Sequence, residues 1–343
     1  MENFMRRALE LATLGRGNVS PNPMVGCVIE HQGRIIGEGW HQRYGEAHAE
    51  RNAIFSIQPQ DEHLLPESTA YVTLEPCSHY GKQPPCANLL IEKGIKRVVC
   101  CNNDPNPLVA GQGFTTLRAA GIDVETGLLE DQGLQLNARF FTFIEQKRPY
   151  IILKWAETTN GFIGTENGQP VKISGDLSHR LVHRWRSEED AIMVGTTTAR
   201  NDNPRLNTRL WPGANPIRIV VDRNRSLPSD LHLFDCSQPT IVYHQSEQTH
   251  ENQHNLTYVV AYSIPELLAD LYARNVQSVL VEGGAALLRS FMEIGLWDEM
   301  RVFRSDTMLQ AGVKAPTVQG ELINREKVGD DELSVYKNSP HKE

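Results

Sequence analysis

Residues 75–86 read Glu75-Pro76-Cys77-Ser78-His79-Tyr80-Gly81-Lys82-Gln83-Pro84-Pro85-Cys86, and His48-Ala49-Glu50 lies upstream of them. One imidazole and two thiolates make three ligands for a borderline-soft ion such as Zn²⁺, and three protein ligands leave the fourth tetrahedral position open for water. An open position is what catalysis requires, since bound zinc brings the pKa of its water to about 7. Glu50, two residues from His48, is placed to carry a proton between that water and a leaving group. A purely structural site would close instead with a fourth ligand, for which His79 is the candidate. His41 and His63 are expected on the surface or in hydrogen bonds.

Outward from this stretch, helix and strand patterns alternate. The sequence predicts a helix over Glu2–Thr13, a strand at Val25–Glu30 joined by the His31-Gln-Gly hairpin signal to Arg34–Trp40, and a helix from about Ala47 to Ile57. A strand Ala70–Leu74, a helix Cys86–Lys93, a strand Arg97–Cys101, a helix Gly113–Ala120, a strand Asp123–Thr126 and one helical stretch Glu130–Glu145 follow. Lys147-Arg-Pro149 marks a domain boundary. Beyond it, strands are predicted near Tyr150–Ala156, Ala191–Val194, Ile217–Asp222, Thr240–Tyr243, Leu256–Val260 and Ser278–Glu282. Helices are predicted near Leu177–Ser187, Ile264–Arg274 and Ala285–Ile294, which is again α/β layering. The tail Lys337–Glu343 reads as disordered.

At 343 residues the chain is long enough for two cores, because single cores tend to split beyond roughly 250–300 residues. Apolar residues make up 40% and charged residues 22%, which describes a globular protein rather than a disordered or fibrous one. The net charge of −8 lacks the basic excess of a protein that grips nucleic acid, although a local pocket for one phosphorylated small molecule remains open. The start, Met1-Glu-Asn-Phe-Met-Arg-Arg, is charged where a signal peptide needs an apolar run, and no long apolar stretch occurs. The expectation is a cytoplasmic protein with no membrane contact; homo-oligomerisation is left open. Cys27, Cys100 and Cys101 sit in apolar runs and read as core thiols, and Cys236 as a loop residue. Cys77 and Cys86 remain for metal or catalysis.

In the second half no Gly-x-Gly-x-x-Gly opens a helix, so a Rossmann fold has no support. The strand Val279-Leu-Val-Glu282 runs into Gly283-Gly284 and a helix, where a phosphate can meet free amides; a tight strand-to-helix connection is the plainer alternative.

The His-x-Glu and Pro-Cys elements match zinc deaminases, but the insert between the cysteines is longer than their usual two residues. With Ser20-Pro-Asn22-Pro-Met-Val-Gly26 and Asp104-Pro-Asn-Pro-Leu-Val-Ala-Gly-Gln-Gly113, these motifs resemble the deaminase half of the bifunctional riboflavin-biosynthesis deaminase/reductases, over nearly all of residues 1–145. The segment Ala191-Ile-Met-Val-Gly195-Thr-Thr-Thr198-Ala-Arg-Asn-Asp202-Asn-Pro-Arg-Leu206-Asn-Thr-Arg209 resembles the reductase half. The resemblance implies a cytidine-deaminase-like three-layer α/β/α domain over 1–146 and a dihydrofolate-reductase-like α/β domain over 147–343.

It further implies Zn²⁺ on His48, Cys77 and Cys86, with Glu50 as general acid/base. Asn22, His79 and Lys82 would meet a phosphorylated pyrimidine substrate. In the reductase half, Arg186, Leu206, Arg209 and Glu282 would face substrate. Lys154, Glu157, Lys172, Thr198, Asp202 and the run Gly284, Ala285, Ala286, Leu287, Leu288, Arg289 and Ser290 would meet NADPH. The chain departs from the family at Thr158-Thr-Asn160-Gly161 and Pro170-Val-Lys172-Ile173, which bears on Glu157 and Lys172. Three rivals stand beside this reading: an active deaminase with a binding-only second domain, a nucleic-acid base deaminase, and a nucleotide-binding regulator with a closed zinc site.

Overall fold

Alternation along the strands decides the layering. In β1 (Gly26–His31), Cys27 and Ile29 point to one face and Val28 to the other, as the two-residue period of a strand requires. Both faces are apolar, so the sheet must be covered on both sides. The computed structural model describes residues 1–80, 84–107, 109–246 and 252–338. Its backbone divides into two units, Met1–Lys147 and Arg148–Glu343.

In the first unit α1 (Glu2–Thr13) precedes β1. β2 (Arg34–Trp40), α2 (Ala49–Phe55), β3 (Thr69–Leu74), α3 (Cys86–Glu92), β4 (Arg97–Asn102), α4 (Gln112–Ala119), β5 (Asp123–Thr126), α5 (Glu130–Leu136) and α6 (Ala138–Gln146) follow. The five strands lie in the order β2-β1-β3-β4-β5, antiparallel through β3 and parallel beyond it. Met5, Ala8 and Leu9 of α1 and Leu136 of α5 pack on Val28, Tyr71, Val99 and Cys101. Ala53 and Ile54 of α2, Leu90 of α3 and Leu117 of α4 pack on Cys27, Ile29, Val72 and Val98. The result is a three-layer α/β/α sandwich. Cys27, Cys100 and Cys101 are core thiols, fully buried.

α2 carries His48 at its start, and glycines let it lie close to the sheet. A Cβ on Gly39 would run into the backbone nitrogen of Ala53, and one on Gly37 into the Ala53 carbonyl. Backbone cannot swing aside as a side-chain tip can. Gly39→Ala is therefore expected to cost about 1–3 kcal/mol of stability, read as a lower Tm, and to lower ammonia release through displacement of the helix.

One helix was expected over Glu130–Glu145, but two are found. The break at Asn137 has a tertiary cause: its side-chain oxygen accepts from Met24 N at 2.8 Å and its amide donates to Met24 O at 2.8 Å. Those bonds hold the 20–26 segment against the helical layer.

The second unit contains β6 (Tyr150–Glu157), β7 (Phe162–Gly164), α7 (Asp176–Glu188), β8 (Ala191–Gly195), α8 (Thr196–Asp202), β9 (Ile217–Val221), β10 (Thr240–His244) and β11 (Leu256–Val260). α9 (Ile264–Ala273), β12 (Ser278–Glu282), α10 (Ala285–Glu293), β13 (Glu299–Arg304), β14 (Val313–Lys314), β15 (Glu321–Val328) and β16 (Asp331–Lys337) complete it. Nine strands form one sheet in the order β11-β10-β9-β8-β12-β6-β13-β16-β15. It is parallel as far as β13, with β16 and β15 added antiparallel.

On one face, Leu153, Trp155, Met193 and Val281 pack beneath Leu267 and Leu271 of α9 and Leu288 and Phe291 of α10. On the other, Ile192 and Val194 meet Ala199 of α8, and Trp185 of α7 stacks on Phe303. The strands from Glu299 onward and α8 extend the predicted pattern. Cys236 is a half-buried loop residue. No helix among the described residues is long and apolar enough to cross a membrane.

Candidate active sites

In the first unit the ends of three elements converge. His48 caps α2, Cys86 opens α3, and Cys77 follows β3 in the connection to α3. His48 Nδ1 lies 3.6 Å from Cys77 Sγ and 3.4 Å from Cys86 Sγ, and the three ligand atoms fall within 4.8 Å of one another. The two sulfurs and one imidazole nitrogen suit zinc by both donor type and spacing. His79 is not in this group; it is exposed, at the cavity rim. Among the described residues the set therefore has three ligands rather than a closed four.

Cys77 is the thiol poised to ionise. Hydrogen bonds from Cys86 and His48 pull its pKa down against the opposing effect of burial, and Cys86 N–H donates to its sulfur at 3.3 Å. The same contact with Cys77 raises the His48 imidazole. Glu50, in the first turn of α2, is 3% exposed. Burial, and then the charge on Cys77, push its carboxyl above the ordinary carboxylate range.

His48, Glu50 and Cys77 line a cavity of about 330 Å³ together with Asn22, His41, Glu75, Asp104 and Phe140, a size suited to a small molecule. His41 is buried; its Nδ1 lies 3.1 Å from Ala47 O and its Nε2 3.1 Å from the Asn22 amide nitrogen. A proton on Nδ1 leaves Nε2 to accept from Asn22, which frees the Asn22 carbonyl oxygen for a ligand. Lys82 lies outside the described residues. His63 is exposed.

In the second unit Glu282, at the end of β12, pairs in register with Lys154 of β6. The Arg186 guanidinium from α7 grips its carboxylate with both prongs, Nε to Oε1 and Nη2 to Oε2, each at 2.8 Å. Burial alone would raise Glu282, but Arg186 and Lys154 overcome it and hold the carboxyl at about 2. Burial, followed by Arg186, lowers the Lys154 ammonium. Arg209 is exposed, with Nη1 on the Asn207 side chain at 3.0 Å.

Thr198 of α8 lies against Gly284 at the head of α10, where a Cβ would come within 2.9 Å of its hydroxyl. Gly284 takes φ +76° and the first turn of α10 has no side-chain cap. The open amides of Ala285 and Ala286 suit a phosphate. Leu206 and Leu288 are core side chains, so a ligand can meet only their backbone. Leu287 sits beside Gly195, Arg289 donates to Lys314 O and Ser290 back to Ala286 O. Asp202 is exposed. Lys172, also exposed, holds Asp176 at 2.6 Å, and Glu157 accepts from the Trp155 indole at 3.0 Å. Three residues along one strand separate Lys154 from Glu157, so the two point to opposite faces.

Residues 149–338 match the RibD C-terminal domain, and residues 1–102 the cytidine and deoxycytidylate deaminase zinc-binding region. The riboflavin biosynthesis protein RibD of Actinobacillus pleuropneumoniae is 38% identical over 97% of this chain and 94% of its own. The chain belongs to the RibD family. RibD of Escherichia coli K12 is 36% identical over 99% of this chain and 96% of its own. A solved diaminohydroxyphosphoribosylaminopyrimidine deaminase/5-amino-6-(5-phosphoribosylamino)uracil reductase from Thermotoga maritima superposes with a TM-score of 0.91, at 37% identity and 98% coverage of both chains. The first unit is thus the cytidine-deaminase-like deaminase domain of a RibD enzyme. The second is its reductase domain, consistent with the dihydrofolate-reductase-like fold.

Sequence reasoning gave no role to Glu75, Asp104 or Phe140. Glu75 stands inside the Glu-Pro-Cys motif, and that adjacency was the available signal.

Proposed function

We propose that the chain carries out two consecutive steps of riboflavin biosynthesis in the cytoplasm. The first domain hydrolyses the 2-amino group of 2,5-diamino-6-ribosylamino-4(3H)-pyrimidinone 5′-phosphate; the second reduces the ribosyl group of the product to a ribityl chain. The observation that carries this reading is the three-ligand cluster His48–Cys77–Cys86 beside a buried Glu50 at a small-molecule cavity.

Zinc held by that cluster would supply hydroxide at neutral pH. Glu50 would relay both protons of the incoming water in turn, the first to the ring nitrogen as the oxygen adds to the ring carbon and the second, from the added hydroxyl, to the amino group, which leaves as ammonia while the C–N bond breaks and the carbonyl forms. Asn22 would accept from a substrate N–H. His79 and Lys82, in the insert between the cysteines, would meet the ribose phosphate.

In the second domain NADPH would supply the hydride. Gly284 to Ser290 and Thr198 would seat its phosphates through the head of α10, with Asp202, Glu157 and Lys172 as outer contacts. Arg186, Arg209, Glu282 and the Leu206 backbone would hold the substrate. Lys154 would give a proton to the ribose ring oxygen as that ring opens and its first carbon accepts hydride. The acidic balance of the chain favours a small-molecule substrate over nucleic acid.

A coupled assay that follows ammonia and NADPH separately tests this. Chelation should abolish ammonia release yet leave NADPH oxidation intact when the deaminated ribotide is supplied. Ammonia release that survives complete metal removal, or a reductase silent on that product, would refute the corresponding half.

A further inference from the structure

Glu75 is the most heavily bonded carboxylate of the deaminase cavity that the chemistry above leaves without a task. It is 4% exposed, it lines the cavity, and no ion pair is recorded for it among the described residues. Its carboxylate accepts three backbone N–H groups. Oε2 takes those of Asp104 at 3.3 Å and Gly111 at 3.0 Å, and Oε1 takes that of Gly113 at 2.9 Å. Asp104 and Gly111 lie at the two ends of the connection from β4 to α4, and Gly113 lies in the first turn of α4. Between them, Asp104, Asn106 and Val109 form part of the cavity wall.

None of the described residues of that connection pairs in a strand. Its sharp end at Gly111 takes φ +76°, and Gly113 sits so close to the chain that a Cβ would strike the Pro76 carbonyl. Gly111 and Gly113 also bracket the start of α4, where free amides attract negative charge. A carboxylate is the side chain that can serve both ends at once, because all its lone pairs accept and it has no donor to clash with an N–H. Pro76 and Cys77 follow directly in the chain, so the wall is tied to the same backbone that delivers a metal ligand.

We infer that Glu75 is a positioning residue that latches Asp104, Gly111 and Gly113 against the deaminase cavity, and so sets substrate affinity rather than the bond-breaking step. This rests on the deaminase reading, but one of its tests needs no substrate. Glu75→Gln keeps the volume and replaces one acceptor with a donor that faces N–H groups.

In the full, zinc-loaded chain, hydrogen exchange at the amides of 104, 111 and 113 should accelerate at least about tenfold. KM for the diaminopyrimidinone ribotide should rise about tenfold while kcat stays within about threefold and zinc content is unchanged. Glu75→Asp, which keeps the charge but shortens the reach, should fall between wild type and Glu75→Gln in both measurements. Unchanged exchange at those amides overturns the latch whether or not the chain turns over the ribotide. Loss of zinc would assign Glu75 to the metal centre instead, and a fall in kcat with KM unchanged would assign it to the reacting atoms; either overturns the proposal.

Discussion

Glu50→Gln enzyme should bind zinc as the wild type does and release ammonia about 10²- to 10⁴-fold more slowly. The ligand atoms come from His48, Cys77 and Cys86, so the substitution leaves the metal's donors in place. What it removes is the one buried carboxyl in the first turn of α2 that can both take a proton and return it. Metal analysis beside an ammonia assay separates the two functions. Turnover within tenfold of wild type with full zinc would mean that another group moves the proton. NADPH oxidation on supplied deaminated ribotide should be unaffected, since no part of the second domain is altered.

The second large effect is expected from Glu282→Ala. The substitution strips Arg186 of both its strong bonds and leaves that guanidinium and the Lys154 ammonium side by side without their counter-charge. Removal of one partner from a buried pair typically costs about 3–5 kcal/mol, against a total domain stability of about 5–15 kcal/mol. In urea the transition of the second domain should move to markedly lower concentration, NADPH oxidation should vanish, and ammonia release should persist.

Acid gives an independent check. Glu282 is held at about 2, below its ordinary 4.5, so its contribution is complete above 4.5 and is lost as pH falls from there toward 2. Wild type should therefore lose stability through that window, while Glu282→Ala should show a flatter profile. An urea midpoint within error of wild type at neutral pH would show that the pair contributes nothing net.

The deaminase half was legible because its chemistry sits in short motifs at the ends of helices and strands, beside strands that are apolar on both faces. Cys27, Val28 and Ile29 declare both faces of the sheet, His48 and Cys86 mark where two helices begin, and Cys77 marks the end of a strand. The break at Asn137 was not legible, because its cause is Met24, far away in sequence. Nor was the latch at Glu75, since backbone amides of a distant segment leave no trace in side-chain patterns. In the reductase half Glu299–Arg304 mixes charge with apolar residues, and most of Glu321–Val328 is exposed, so neither segment shows clean alternation. α8 opens on three threonines, poor helix formers. The pairing of Lys154 with Glu282 needs the strand order, whereas the opposed directions of Lys154 and Glu157 could have been read from their spacing alone.

The two hydrogen bonds between Asn137 and Met24 tie together residues that leave the ribosome far apart in time. The zinc ligands at 48, 77 and 86 emerge well before residue 137, as does the whole zinc-binding region matched over residues 1–102. Asn137, which anchors the segment carrying Asn22, and Phe140, which lines the pocket, both lie beyond that region. A fragment cut after residue 102 would keep the donors and lose the chamber. The helices before Lys147 thus supply Asn137 and Phe140 to the first unit, well past the end of the motif that reveals it.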